Sequence, residues 1–356
     1  MRTLELPAGK PPREWGRIHG ESFRGEIASL AAIRVYLCTK VGGFKSSAQV
    51  LEAARAHLPV LRDFDGALYD ELVGIADGAA LAPEQIVVVN HYTDLRDLDP
   101  DPRTWQPAPI GDGCSLIFAE TRTGRVLAQT WDMHATAIPY VMLLVTPDAK
   151  LLTVTGCLGM AGMTSARVAI GINNLFSTDA TLGVVWPALV RRALREHDAP
   201  AAKRVIMRAP IGSGHHYFVA DRTHAFGIEA SGTRRKLVYE RDPHREHEGA
   251  ARYFHTNHAF DSDIAAVSKV PDASTTYDRL RALDGAPDAR FDGLDDIWRA
   301  LGSDDGWPRS VCTNVATPEA PHGAATCGAI AMNLDTGEVW AQQGFIHNVA
   351  AETFRV

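Results

Sequence analysis

The chain has 356 residues, 46% of them hydrophobic and 22% charged, which suits a soluble globular protein with material for a sizeable core, whether as one large mixed domain or more. A net charge of −7 lacks the basic footprint that a nucleic-acid partner requires, and no apolar run reaches the roughly 20 residues of a membrane span, so neither partner is expected. Five cysteines scattered over a long chain are no disulfide framework, and the charged, Pro-rich start lacks the apolar core of a signal peptide, so a reducing cytoplasm is the expected location.

Residues 1–97 read as mostly helical. In "SSAQVLEAARAHLPVLRDF" the apolar residues recur at helical spacing, and Ser46 or Ser47 can cap the start. Residues 63–95 hold two more helices, broken at Gly78 and again near Pro83, whose ring suits the first turn of the second. Residues 97–113 carry Pro100, Pro102, Pro107 and Pro109 and read as an exposed loop or linker.

After Cys114 the texture changes. "SLIFAE" and "RVLAQTWD" flank the turn "TRTG" and predict a hairpin. Three more follow: "YVMLLVT" with "LLTVTG", "YFVAD" with "FGIEAS", and "CGAIAMNLD" with "VWAQQG". Helical patterns lie between them at residues 183–197, 199–209, 275–284 and 293–302. Hairpins interspersed with helices predict antiparallel sheets covered by helices. No internal repeat or low-complexity segment is present.

The 14 histidines are scattered. His215–His216 and "DPHREHEG" (residues 242–249) read as solvated loop, and no pair stands at metal-site spacing, so no metal is expected. Cys38, Cys157, Cys312 and Cys327 lie in or beside apolar segments and read as buried, inert thiols.

Cys114 is different. It opens the first hairpin, straight after Gly113, with the Pro-rich loop on its other side. Taken alone, a Cys before "SLIF" reads as a small buried apolar residue. Its place at an element start, next to a glycine and a loop free to move away after a cut, points instead to a nucleophile exposed by self-cleavage. Glycine tolerates the strained backbone that an acyl shift needs. The thiol would attack the Gly113 carbonyl carbon, and an N-to-S shift would give a thioester that water releases. Cys114 then becomes a free N-terminus. Its α-amine, with an ordinary pKa of about 7.7–8.0, suits a general base near neutral pH. A thiol paired with that amine needs no His or Asp from elsewhere.

The segment "GDGCSLIFAETRTGRVLAQTWDMH" resembles the self-cleavage site of the acyl-coenzyme A:6-aminopenicillanic acid acyltransferase family, a branch of the N-terminal-nucleophile hydrolases. The matching residues are Asp112, Gly113 and Cys114, then Asp132 after the hairpin. The likeness extends upstream to "ELVGIADGAALAPEQIVVVNHYTDL" and downstream through "SARVAIGINNLFST" and "YFHTNH". The resemblance implies an α+β, four-layer αββα sandwich with two antiparallel sheets between helical layers. It also implies cleavage between Gly113 and Cys114 into an α fragment, residues 1–113, and a β fragment, residues 114–356, which together form one domain.

By that resemblance Cys114 is the nucleophile and Asn257, in "HTNH", completes the oxyanion hole; one such donor is worth about 3–4 kcal/mol. Asp132 would orient the Cys114 ammonium or a substrate amine. Trp131, Asn173 and Asn174 would line the substrate pocket, and Ser231 and Ser310 fall where the family tends to place serines important for maturation. The family often shows an Arg soon after the second serine; here that place holds Thr313, and Arg309 precedes the serine instead.

The expected enzyme hydrolyses an amide, or transfers an acyl group from a small-molecule acyl amide or acyl thioester, through a Cys114 thioester and without a cofactor. Two rivals stand beside it. One is a thiol peptidase pairing Cys114 with His134 or His258, uncut. The other is a non-catalytic binding protein on the same scaffold.

Overall fold

The computed structural model describes residues 1–41, 43–98, 113–243, 251–285 and 291–356. The Pro-rich loop expected at 97–113 therefore lies almost wholly outside the described residues, as do Asp112 and most of the "DPHREHEG" run.

The chain opens with a short strand, β1 (Arg2–Glu5), and five helices: α1 (Pro12–Ser22), α2 (Arg24–Val41), α3 (Ser47–Phe64), α4 (Gly66–Ala79) and α5 (Pro83–Asp97). Ser46 caps α3 by accepting from the Gln49 amide at 3.3 Å, and Pro83 occupies the first turn of α5. Helices α1 and α4 touch backbone to backbone. A Cβ on Gly16 would collide with the Glu71 carbonyl, and one on Gly78 with that of Arg17. Helix α5 is buried along nearly its whole length, polar residues included.

The strands form two sheets. The first runs β1, β4 (Val141–Val145), β5 (Ala149–Val154), β6 (Ala161–Thr164), β7 (Ala169–Asn174), β8 (His215–Ala220), β9 (Ala225–Ala230), β10 (Arg235–Arg241). The second runs β11 (Arg252–His255), β2 (Leu116–Thr121), β3 (Gly124–His134), β12 (Ala324–Asn333), β13 (Glu338–Gln343), β14 (Glu352–Arg355). All pairings are antiparallel except that of β1 with β4, which is parallel at the edge of the first sheet. The four expected hairpins are β2–β3, β4–β5, β8–β9 and β12–β13.

Helices α6 (Trp186–Leu194) and α7 (Ala199–Arg208) pack on the first sheet, α6 against β6 and β7 and α7 against β8 and β9. The two sheets meet through β2, β3 and β12 on one side and β5, β6 and β7 on the other. Beyond the short α8 (Ser262–Ala265), helices α9 (Thr276–Asp284) and α10 (Leu294–Leu301) cover the far face of the second sheet. The order of layers is helix, sheet, sheet, helix.

The alternation along β2 shows why. Leu116 and Phe118 point into the main core between the sheets, whereas Ile117 and Ala119 point into a second apolar cluster with Ile297, Trp298 and Leu301 of α10. A strand covered on both faces reads as a continuous apolar run, as "SLIFA" does. The main core draws on α2–α5 as well as on the strands after Cys114. No single helix among the described residues is long and apolar enough to cross a membrane.

One expectation is corrected here. His215 and His216 are not loop residues; they lie in β8, 1% and 0% exposed. Each imidazole has a partner distant in sequence: His215 Nε2 meets Asp94 at 2.8 Å, and His216 Nδ1 donates to Asn173 Oδ1 at 2.9 Å.

Candidate active site

Cys114 sits two residues ahead of the regular ladder of β2 and β3, and the pairing continues past it. Gly113 and Asp132 exchange both backbone hydrogen bonds, 2.9 Å from the Gly113 N–H and 2.7 Å to the Gly113 carbonyl. The Thr130 amide donates to the Ser115 carbonyl at 2.9 Å. The bond between residues 113 and 114 is thus fixed at both ends. Its carbonyl oxygen accepts from the Asp132 amide, and the Cys114 N–H donates to Asn257 Oδ1 at 2.9 Å. Asn257 follows β11, which pairs with β2, so the sheet brings it opposite Cys114.

Around this peptide the side chains form one network. The guanidinium of Arg279, on the buried face of α9, donates through Nη1 to the Cys114 carbonyl (2.8 Å) and Ser115 Oγ (2.9 Å) and through Nη2 to Asn257 Oδ1 (2.7 Å). It also lies 3.8 Å from Asp132 Oδ2. Asn173 Nδ2 donates to the Cys114 carbonyl at 3.1 Å and to the His255 carbonyl at 3.3 Å. Thr326 Oγ1 donates to Asp132 Oδ1 at 2.8 Å.

A side chain at 113 would crowd the network. A Cβ at 113 would lie 2.6 Å from Arg279 Nη2 and 2.8 Å from Asn257 Oδ1. The expectation rested on backbone freedom, whereas the structure shows the close approach of a buried guanidinium as the constraint.

The electrostatics are those of a dry site. Burial pushes the Asp132 carboxyl up to about 6, against the Arg279 charge that holds it down. Burial, and then the Asp132 charge, push the Cys114 thiol up to about 12. Arg279 and the backbone N–H groups of Asp132 and Asn174 act in the other direction. A thiol so placed is almost wholly protonated at neutral pH.

Cys114, Trp131, Asp132 and Asn174 line one narrow cavity of about 40 Å³, together with Arg34, Tyr92, Met160, Trp186 and His215. Among the described residues, several buried polar atoms of the lining side chains have no hydrogen-bond partner: Arg34 Nε, Asp132 Oδ2, both side-chain polar atoms of Asn174, and His215 Nδ1. Buried polar groups are paired in the great majority of cases, so such a cluster around one cavity suits water or a polar ligand. A much roomier concavity, about 880 Å³, lies over α10 and contains none of these residues.

The expected residues divide as follows. Cys114, Asp132, Asn257 and Asn173 form the network, and Trp131 and Asn174 line the cavity. Asn257 differs from expectation in orientation: Nδ2 donates to the Asn174 carbonyl at 2.9 Å, and Oδ1 is the atom turned to Cys114. Ser231, Ser310 and Arg309 do not join them. Ser231 Oγ donates to Asp179 at the turn after β9, and Ser310 Oγ to the Cys312 carbonyl. Arg309 is bound to Asp278 and the Ser274 carbonyl at the surface. His134 Nδ1 is bound to Thr136 and His258 Nδ1 to Thr276, and the side-chain charges acting on the Cys114 sulfur are those of Asp132 and Arg279. Arg279 was not anticipated. Its signal was present in "TTYDRLRALD", where it shares the inward face with Thr276 and Leu283.

The four-layer αββα arrangement expected from the resemblance to N-terminal-nucleophile hydrolases is present, with a cysteine at the head of an inner hairpin. A sequence model described as acyl-coenzyme A:6-aminopenicillanic acid acyl-transferase matches residues 119–285. The 40 kDa form of that acyltransferase from Emericella nidulans is 25% identical over 324 residues, covering 87% of this chain and 84% of the relative. The family resemblance read from the Cys114 segment is thereby borne out, and with it an enzyme of acyl and amide chemistry. Two solved structures are also similar. A variant of the conjugated bile acid hydrolase from Clostridium perfringens has 10% identity and a TM-score of 0.47, covering 68% of this chain and 92% of its own. The penicillin V acylase from Agrobacterium tumefaciens has 12% identity and a TM-score of 0.36, covering 68% and 85%.

Proposed function

We propose that the protein is a self-cleaving cysteine enzyme that forms a thioester at Cys114 and passes the acyl group to water or to an amine. The observation that carries this reading is the hold on the 113–114 peptide. Its carbonyl oxygen lies 2.7 Å from the Asp132 N–H, placed to receive the charge that develops when the carbonyl is attacked, and its nitrogen is held by Asn257.

The steps follow from the groups present. The Cys114 sulfur bonds to the Gly113 carbonyl carbon, and the bond from that carbon to the Cys114 nitrogen breaks. The thiol proton passes to the leaving nitrogen. The α-amine cannot serve as base in this first cut, because it is still an amide. Asp132, with a carboxyl raised to about 6 and a buried Oδ2 that accepts no hydrogen bond among the described residues, is the carboxylate acting on the thiol and takes that part. Water then releases residue 113 from sulfur. The new α-ammonium puts a positive charge beside the thiol, which favours the thiolate, and on losing its proton it becomes the base for turnover.

The products are fragments 1–113 and 114–356, held together by a core drawn from both. A cavity of about 40 Å³ admits little more than one small group, so an acyl chain requires it to widen once the cut is made. The five free, buried cysteines suit a reducing compartment.

Intact-mass measurement tests this reading. The purified protein should give two fragments meeting at Gly113/Cys114, and Cys114→Ala should stay one chain. Incubation with N-acyl amino acids, N-acyl amines and penicillins should then add an acyl mass to the 114–356 fragment and release a free amine. An uncut but active protein would favour a thiol peptidase instead, and a cut protein with no acyl adduct a binding protein. Cleavage in the Cys114→Ala variant would rule the mechanism out.

A further inference from the structure

Helix α2 carries a cation into the cavity that the chemistry at Cys114 does not use. Arg34 is 4% exposed and lines the same cavity as Cys114. It donates through Nη1 to the Val89 carbonyl, and its Nε is buried without a partner. Among the described residues no carboxylate forms an ion pair with it. Burial lowers its pKa, and the ionisable groups that oppose this are a phenol, Tyr92, and the thiols of Cys157, Cys38 and Cys327.

A second guanidinium lies close by. Arg34 and Arg96 both lie over the Tyr92 ring, at 5.6 and 5.1 Å from its centre, and Tyr92 also lines the cavity. The same two charges help to keep the buried His134 neutral. A buried charge without a counter-ion is costly, and a cation facing a cavity is the usual way to hold an anion there.

We propose that Arg34 anchors a carboxylate of the substrate in this cavity, so that the substrate class is an acyl amide or acyl acceptor bearing a free carboxylate, as an N-acyl amino acid or an amino acid does. This rests on Cys114 being the reacting group, since the anchor lines the cavity that Cys114 lines. A planar guanidinium matches a carboxylate through two parallel hydrogen bonds, and Arg34 has Nε free for one of them. His215, held by Asp94 through Nε2, leaves Nδ1 toward the same space and can take an N–H or O–H of the same ligand.

The test uses two small alkylating probes that differ in charge, iodoacetate and iodoacetamide. Labelling of Cys114 is followed by intact mass, so one spectrum reports both the cut and the adduct. The ratio of iodoacetate to iodoacetamide rates should be about tenfold higher in the wild type than in Arg34→Gln, the factor carried by one hydrogen bond to a charged group. Arg34→Lys keeps the charge without the fork and should fall between the two.

A second measurement needs no variant. Acetate should protect the wild-type thiol from iodoacetamide at concentrations where acetamide does not. Equal ratios in the wild type and Arg34→Gln, or equal protection by acetate and acetamide, would overturn the anchor. A cut chain with either result leaves the Cys114 reading standing, whereas an uncut chain in which Cys114 takes up neither reagent overturns both.

Discussion

Replacing Arg279 by Met tests the site at the point where its charges balance. The guanidinium is 3% exposed and donates to the Cys114 carbonyl, Ser115 Oγ and Asn257 Oδ1, with Asp132 Oδ2 at 3.8 Å. Removing one member of a buried pair leaves the other charge uncompensated and typically costs about 3–5 kcal/mol. The lost hydrogen bonds fall within that sum rather than adding to it, because they belong to one network. The cost should depend on pH in a definite sense. Arg279 holds the Asp132 carboxyl down against burial, so without it Asp132 binds a proton more readily. Below pH about 6 Asp132 is already largely neutral, and less is lost. The variant should therefore be destabilised more at pH 8 than at pH 5. With a urea slope of about 3 kcal/mol per M, the midpoint at pH 8 should fall by roughly 1–1.5 M. Arg281→Met is the control: it is 76% exposed on the same helix and paired only at the surface with Asp278, a contact worth at most about 1 kcal/mol. The fragments should also appear more slowly in Arg279→Met, because Asn257 and the Cys114 carbonyl lose their common donor. Equal midpoints for the two variants at pH 8, or a larger loss at pH 5, would refute this account of the site.

Asp132→Asn should change two pH profiles in opposite senses. Because burial raises this carboxyl from 3.8 to about 6, its neutral form favours the folded state at low pH, and that contribution is lost as pH rises through 6, an effect of about 3 kcal/mol that denaturation midpoints of the Asn variant should no longer show. The rate of self-cleavage in the wild type should instead rise through pH 6, and intact-mass time courses of the variant should lack that rise. Gly113→Ala should slow the cut and lower stability by about 1–3 kcal/mol, since its Cβ meets Arg279 Nη2 at 2.6 Å; cleavage at the wild-type rate would show that the guanidinium is free to move aside. Gly78→Ala should lower the thermal midpoint by forcing α1 and α4 apart at the Arg17 carbonyl, without altering the labelling of Cys114. Ser231→Ala should leave self-cleavage unchanged in the same mass assay, because its hydroxyl bonds to Asp179 away from the network.

Much of this was legible in the sequence where local pattern and local structure coincide. Ser46 before a helical run is a cap, Pro83 opens α5, and "TRTG" between two apolar runs is the turn of β2 and β3. Cys114, Asp132 and Asn257 could be named because the Cys114 segment and its downstream companions resemble those of a known family. What was missed depends on partners far along the chain. The edge strands β1 and β14 are largely exposed and show no clear alternation, so only their pairing defines them. His215 and His216 looked like solvent-facing residues because they are polar and adjacent. They are buried because Asp94 and Asn173, which receive their hydrogen bonds, lie 121 and 43 residues away.

Arg279 shows the same limit at the site itself. The absence of an Arg after Ser310 put a guanidinium contact in doubt, with Thr313 in that place. The structure supplies a guanidinium from α9, 165 residues after the Cys114 carbonyl that it binds. An arginine is long enough to reach one buried carbonyl from several directions, so a guanidinium at this site need not come from the segment after Ser310. Electrostatics constrains the destination more tightly than the origin. In the proposed mechanism Asp132 acts on the sulfur from a buried position, a buried carboxylate needs a cation, and the cation must also leave Asn257 Oδ1 facing the Cys114 N–H. Arg279 meets all three conditions, and in doing so it leaves room only for glycine at 113.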